Sequence, residues 1–295
     1  MDKLSILIPT YNTECLLLVD ALVRQIDDNS LNAEVVVLDD GSSDMKVLAE
    51  NAVIEDLDHC RYIVSPVNRG IAITRNSLMQ EATGSHMLFL DSDTYPASDD
   101  FLVRLVSVAD DADVVVGGLI YRKGEEQVVN PLRLRYGVSR EEVTAKKRER
   151  KPYDAFNSSN FMISRHVSEV VRFDETFDRY GHEDTLFGAM LKDRGFSIKH
   201  IDAPVYHDNL DTSEQYLSKV RIAIQSLSMH ADKLRGHSRL LALYDKVDAL
   251  HLSGILHSFF SRFRDRMEAN LKGDKPSLMV LMIYKLSYLC GVMKL

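Results

Sequence analysis

The chain has 295 residues, 45% of them hydrophobic and 27% charged, which is enough apolar material for one large α/β domain or two smaller ones. Its net charge of −8 argues against a general nucleic-acid binder, which needs a basic face. Cys15, Cys60 and Cys290 are scattered without a C-x-x-C pair, so neither a disulfide framework nor a zinc site is expected, and a reducing cytoplasm fits.

The first residues enter a strand pattern at once, so no secretory leader is expected. Up to about residue 120, β-rich runs at Leu4–Ile8, Glu34–Leu38, Arg61–Ser65, Met87–Leu90 and Val114–Gly117 alternate with helical patterns. One such helix carries the stripe Leu18, Leu22 and Ile26, with Thr13 expected as its N-cap. Apolar runs without alternation suit strands covered on both faces, and the β/α rhythm predicts a mostly parallel, doubly wound sheet. Residues 121–156 break the rhythm and include the basic run Lys146 to Lys151, which reads as a solvated helix face or loop, or as a contact for an anionic acceptor or phosphate. A mixed segment follows to about 208, and from Thr212 onward the pattern is helical.

Polar and acidic residues directly follow several predicted strands: Pro9-Thr10-Tyr11-Asn12, Asp39-Asp40-Gly41-Ser42, Asn68-Arg69-Gly70 with Arg75-Asn76 beyond it, and Asp91-Ser92-Asp93. In a parallel sheet these tips share one edge, where open α/β sheets bind their ligands. Alternate residues of an extended chain face the same side, so Asp91 and Asp93 present two carboxylates to one target, as a hard cation with substrate phosphates requires. Taken singly, each segment also reads as a turn, a helix cap or a packed aromatic. Gly181-His182-Glu183-Asp184 opens a predicted helix over residues 185–194, where the dipole favours negative charge. His207 closes a further β-like run and reads either as structural or as a metal ligand.

In order and spacing, the series Ser-Ile-Leu-Ile-Pro-Thr-Tyr-Asn, Val-Val-Val-Leu-Asp-Asp-Gly-Ser-Ser-Asp, Asn-Arg-Gly-x-Ala-x-x-Arg-Asn and Phe-Leu-Asp-Ser-Asp resembles the family-2 glycosyltransferases of the GT-A fold. The likeness runs over residues 4–93 and resumes at 156–163 and 173–184. It implies inverting transfer of a sugar from a nucleotide diphosphate donor, with UDP-sugar favoured, assisted by a divalent metal, Mn²⁺ or Mg²⁺. By the same resemblance Pro9, Thr10 and Tyr11 line the nucleoside pocket, Asp40 accepts from the base, and Asp39 is structural or touches the nucleoside. Arg75 reaches the base or diphosphate, Asp91 sits near the ribose or a metal-bound water, and Ser92 lies on the donor side. Asp93 and His207 hold the metal, and Asp184 is the general base. Glu183 contacts the acceptor or is the alternative base. Asn160, in the polar run before a predicted strand, reads as a residue that binds substrate hydroxyls, those of the acceptor above all, or as a satisfied loop amide. A sugar nucleotidyltransferase and a non-catalytic glycan-binding protein on the same fold are the alternative readings. No phosphate-binding P-loop, dinucleotide fingerprint or nucleophile elbow occurs in the sequence.

Residues 1–210 are therefore expected to form the GT-A-like catalytic domain and 211–295 a helical extension. The extension carries 13 Lys and Arg against 8 Asp and Glu, and no nameable chemistry. It is expected to pack on the catalytic domain, to form a homodimer contact, or to rest on an anionic inner leaflet. The expected partners are a nucleotide-sugar donor and a glycan or lipid-linked acceptor, in a cytoplasmic enzyme of surface polysaccharide synthesis.

Overall fold

A computed structural model describes residues 2–122, 131–208 and 211–293. Part of the irregular 121–156 segment, and the 209–210 boundary between the two expected regions, lie outside the described residues. The strands are β1 (Leu4–Thr10), β2 (Ala33–Asp39), β3 (Cys60–Val64), β4 (His86–Leu90), β5 (Thr94–Pro96), β6 (Val114–Val116), β7 (Leu119–Ile120), β8 (Asn160–Ser164), β9 (Ile198–His200) and β10 (Val205–His207). Around them run α1 (Leu16–Asp28), α2 (Met45–Ala52), α3 (Ile71–Glu81), α4 (Phe101–Val106), α5 (Pro131–Arg140), α6 (Ala145–Arg148), α7 (Arg165–Val170) and α8 (Glu183–Asp193). The C-terminal part is helical: α9 (Ser213–Met229), α10 (Ala231–Leu234), α11 (Arg239–Ala249), α12 (Ser253–Lys272) and α13 (Leu278–Val292).

The main sheet has the order β3-β2-β1-β4-β8-β6-β9, and a small sheet has the order β5-β10-β7. Strands β3, β2, β1 and β4 run parallel, whereas β8 is antiparallel to both β4 and β6. Alternation along each strand sends Leu4, Ile6, Ile8, Val35, Val37, Leu88 and Leu90 into one core beneath α1 and α4. Leu7, Val36, Leu38, Met87 and Phe89 face the other core with residues of α3, α7 and α8. This two-sided burial is why the strand sequences do not alternate in polarity.

A third core joins the C-terminal helices to the rest. Leu217, Ile224, Leu241, Leu271, Leu281 and Tyr284 pack with Leu132, Phe177 and Leu186. No helix of the described residues is long and apolar enough to cross a membrane.

Thr13 does not cap α1. The helix starts after Cys15, whose N–H is bonded by Asn51 Oδ1 at 3.0 Å, while the Thr13 hydroxyl donates to Tyr11 O at 3.1 Å. A side chain from α2 thus accepts from the backbone just before the helix, and the N-cap residue Cys15 makes no side-chain cap bond. At Gly41 the chain turns with φ 73°, and a Cβ there would lie 2.5 Å from Val67 C. Gly41→Ala should lower stability by about 1–3 kcal/mol, read as a reduced urea midpoint at unchanged slope.

Candidate active site

The C-terminal ends of β1, β2 and β4 open onto a single cavity of about 1400 Å³. Pro9, Thr10, Tyr11, Asp40, Arg75, Asp91, Ser92, Asp93, Glu183, Asp184 and His207 all line it. Segments separated by more than a hundred residues therefore meet at one place, because β1 sits between β2 and β4 and α8 begins over the same edge.

On the nucleoside side, Tyr11 is 46% exposed and Asp40 is almost wholly covered. Asp40 accepts backbone N–H bonds from Arg69 at 3.0 and 3.1 Å and from Gly70 at 2.8 Å, which tie the start of α3 to the end of β2. Asp39 is fully buried, accepting from Ser42 N at 2.7 Å and from the Tyr62 hydroxyl at 3.0 Å. Its position is that of a structural carboxylate.

Arg75, only 3% exposed, joins two parts of the cavity wall. Its guanidinium donates to Asp91 Oδ1 at 2.9 Å and to Glu183 Oε1 at 3.1 Å, and it lies over the Phe173 ring at 5.1 Å. The planar fork of arginine suits this double pairing. Glu183 keeps a buried Oε2 without a partner. Burial, reinforced by Asp184 and opposed by Arg75, pushes the Glu183 carboxyl above its ordinary range. Burial likewise raises Asp184, whose Oδ1 accepts from Thr185 N at 2.6 Å and from the Thr185 hydroxyl at 3.2 Å. The chain reaches these acids through two left-handed residues, Gly181 at φ 104° and His182 at φ 75°. Burial brings the His182 imidazole down to about 4, so it is neutral at physiological pH.

Asp93 and His207 meet from opposite directions, with Oδ2 and Nε2 3.5 Å apart. Asp208 N donates to Asp93 O at 2.8 Å, and Asp208 is held by Arg122 at 2.9 and 3.2 Å, which fixes the end of β10. Burial pushes the Asp93 carboxyl upward against the pull of His207. His207 Nδ1 is buried without a hydrogen-bond partner. A carboxylate and an imidazole at this spacing fit Mn²⁺ or Mg²⁺, provided a diphosphate and water complete the coordination. The described residues hold no cluster of three or more His, Cys, Asp or Glu side chains that would bind a metal unaided.

Asn160 is the exception among the expected residues. It is 1% exposed, does not line the cavity, and donates through Nδ2 to Gly118 O and Ala203 O at 2.9 Å each. It fastens the start of β8 to neighbouring loops; Asn157, Ser158 and Ser159 form the cavity wall in its place. The basic run also divides. Arg148 is buried and its guanidinium donates to the carbonyls of Val143, Gly117 and Ile201, whereas Lys147, Arg150 and Lys151 are exposed; all four line the cavity.

The C-terminal helices also line the cavity. Tyr216, Lys219, Arg239 and Lys285 line the cavity beside Arg133 and Tyr136 of α5. Arg133 lies 5.4 Å from the rings of both Tyr121 and Tyr216 and pairs with Glu141 at 3.0 Å. No sequence pattern marks these contacts, which join helices far apart in the chain.

The family model for glycosyl transferase family 2 matches residues 5–171, more than half of the chain. The chain belongs to glycosyl transferase family 2. This family-2 protein is 33% identical over 99 residues to an uncharacterized glycosyltransferase of Haemophilus influenzae, a match covering 34% of this chain and 39% of that one. The match to the Streptococcus pneumoniae glycosyltransferase GlyA spans only 16% of the relative's length. A longer likeness, 25% identical over 305 residues, links it to the GalNAc(5)-diNAcBac-PP-undecaprenol beta-1,3-glucosyltransferase of Campylobacter jejuni, covering 96% of this chain and 93% of that one. Among solved structures, residues 1–349 of S. aureus TarS align with TM-score 0.54 at 20% identity, over 99% of this chain and 90% of that one. The mannosyltransferase PcManGT of Pyrobaculum calidifontis, in complex with GDP-Man and Mn²⁺, aligns with TM-score 0.56 at 16% identity, over 96% and 85% of the two chains. These structural likenesses establish the GT-A fold of the family-2 chain.

Proposed function

We propose that this family-2 glycosyltransferase transfers a sugar, with inversion, from a UDP-sugar to a hydroxyl of a glycan or lipid-linked acceptor. The observation that carries the reading is the meeting of Asp40, Asp91, Asp93, Glu183 and Asp184, from three separate segments, on one cavity. TarS has been solved with UDP-GlcNAc and with UDP, and the Campylobacter relative is named for a lipid diphosphate acceptor, which supports these substrate classes. Residues 1–210 would supply the donor chemistry, while the C-terminal helices would pack on it and help to form the acceptor side. Surface polysaccharide synthesis at the inner face of the plasma membrane is the setting that suits such substrates.

In this reading Tyr11 stacks on the base, with Pro9, Thr10 and Asp40 around it, and Asp91 and Ser92 lie beside the ribose. Arg75 has its fork engaged by Asp91 and Glu183, so it orients those carboxylates rather than the diphosphate. Asp184 takes the acceptor proton as the hydroxyl oxygen attacks the anomeric carbon. The bond from that carbon to the β-phosphate oxygen breaks, and its electron pair leaves with UDP. A divalent cation held by Asp93 and His207 would neutralise the charge gathering on the departing diphosphate. Glu183 helps to seat the acceptor.

Release of UDP from a panel of UDP-sugars with Mn²⁺, with the anomeric configuration of the product read by NMR, tests the reaction. Failure to bind UDP, together with no UDP release from any donor, would overturn it. The alternatives predict other outcomes: a nucleotidyltransferase releases pyrophosphate, and a binding protein releases nothing. A second measurement addresses the metal. Mn²⁺ should tighten UDP binding to the wild type by about tenfold or more, and Asp93→Asn and His207→Ala should each lose most of that gain while metal-free affinity stays within about twofold. Equal gains in all three proteins would remove these residues as ligands.

A further inference from the structure

The cavity exceeds the roughly 300–1,000 Å³ usual for a single small-molecule site, so a second substrate has room beside the donor. Its charge is divided. Asp40, Asp91, Asp93, Glu183 and Asp184 line it where the strand tips meet α8, whereas Arg140, Lys147, Arg150, Lys192, Arg239 and Lys285 line it from α5, the α6 region, α8, α11 and α13; Glu141, Asp154 and Asp211 line it too, paired with Arg133, Lys151 and Lys219. Among the described residues none of these six has a carboxylate within ion-pairing distance, although the chain carries 44 Asp and Glu against 36 Lys and Arg. Unpaired cations around one space repel each other, and a bound polyanion removes that cost. The Lys285 ammonium lies 4.7 Å over the Tyr136 ring and is brought down to about 8, chiefly by burial; Glu141 opposes the shift, and Arg133 and Arg140 add to it.

We infer that this cationic wall is a phosphate-binding acceptor subsite, so the acceptor carries a phosphate or diphosphate near the sugar that receives the transfer. Arg and Lys are the side chains that recognise such groups, through forked hydrogen bonds and point charge respectively. Apolar side chains of α13, Leu278 and Met282, line the cavity beside Lys285 and leave space for a hydrocarbon joined to the phosphate. The inference rests on the reading of the carboxylate end as the donor side, and its test keeps the two apart.

Calorimetry on the full chain, with UDP alone and then with UDP in excess, provides that test. Three probes are titrated: inorganic tripolyphosphate, farnesyl diphosphate and farnesol. Farnesyl diphosphate should bind the UDP-loaded protein, with affinity falling as salt is raised. Arg140→Gln/Arg239→Gln/Lys285→Gln should weaken it about tenfold or more, with UDP affinity within about twofold of wild type. Tripolyphosphate binding equally well assigns the subsite to phosphate from any source; farnesyl diphosphate binding alone assigns it to lipid-linked phosphate. Farnesol binding as tightly as farnesyl diphosphate, loss of probe binding when UDP is present, or no effect of the triple substitution would each overturn the subsite. Loss of UDP binding in wild type would overturn the donor assignment instead.

Discussion

Asp184→Asn is expected to lower kcat by about 10²–10⁴-fold, the usual contribution of a positioned base, and to leave UDP affinity within about twofold. The substitution keeps the size of the side chain and its ability to accept from Thr185 N–H and the Thr185 hydroxyl, so the local geometry should survive. What is lost is the capacity to take a proton. Burial raises the Asp184 carboxyl above its ordinary value of 3.8, which makes it a stronger base than a surface aspartate. Because the ionised form does the work, kcat should fall as pH drops through a value above 3.8, and this acid limb should vanish in the variant. Glu183 is the competitor for the role, and Glu183→Gln should cost less because one of its oxygens is already engaged by Arg75. A larger loss in Glu183→Gln than in Asp184→Asn, in steady-state UDP release, would exchange the two assignments.

The sheet and its acidic edge were legible because both follow from local rules. Strands buried on two faces read as unbroken apolar runs, and polar residues placed immediately after them fall on one edge in any parallel arrangement. The direction of β8 follows no such rule. It depends on how the chain returns between β7 and β8, and an antiparallel return leaves Asn160-Phe161-Met162-Ile163 as apolar as a parallel one would. Asn160 and Arg148 were hidden for a related reason. A polar residue beside a strand has the same sequence signature whether it faces substrate or satisfies buried carbonyls, and only the packing of Gly118, Ala203 and Ile201 around these two decides it. The cationic wall is the extreme case, since Arg140, Lys192 and Lys285 become neighbours of one cavity only through helix packing.

The largest effect on stability is expected at Arg75. Its guanidinium is the buried partner of Asp91 and Glu183, so Arg75→Met removes the cation between two partly or wholly buried carboxylates that approach it within 3.1 Å. Breaking a buried pair in this way costs about 3–5 kcal/mol, because the remaining charges stay desolvated and uncompensated. Arg75→Lys should recover only part of this, since an ammonium cannot reproduce two forked contacts pointing to different acids. Loss of the cation should also push both Glu183 and Asp184 higher still, and through Asp184 carry the acid limb of kcat upward. Adding Glu183→Gln to Arg75→Met should restore part of the lost stability, because one of the stranded charges is then removed. Urea unfolding of the single and double variants measures the coupling directly. If Arg75→Met and Glu183→Gln proved additive, with no recovery in the double variant, the arginine would not be the element that binds the donor-side aspartate to the helix carrying the base.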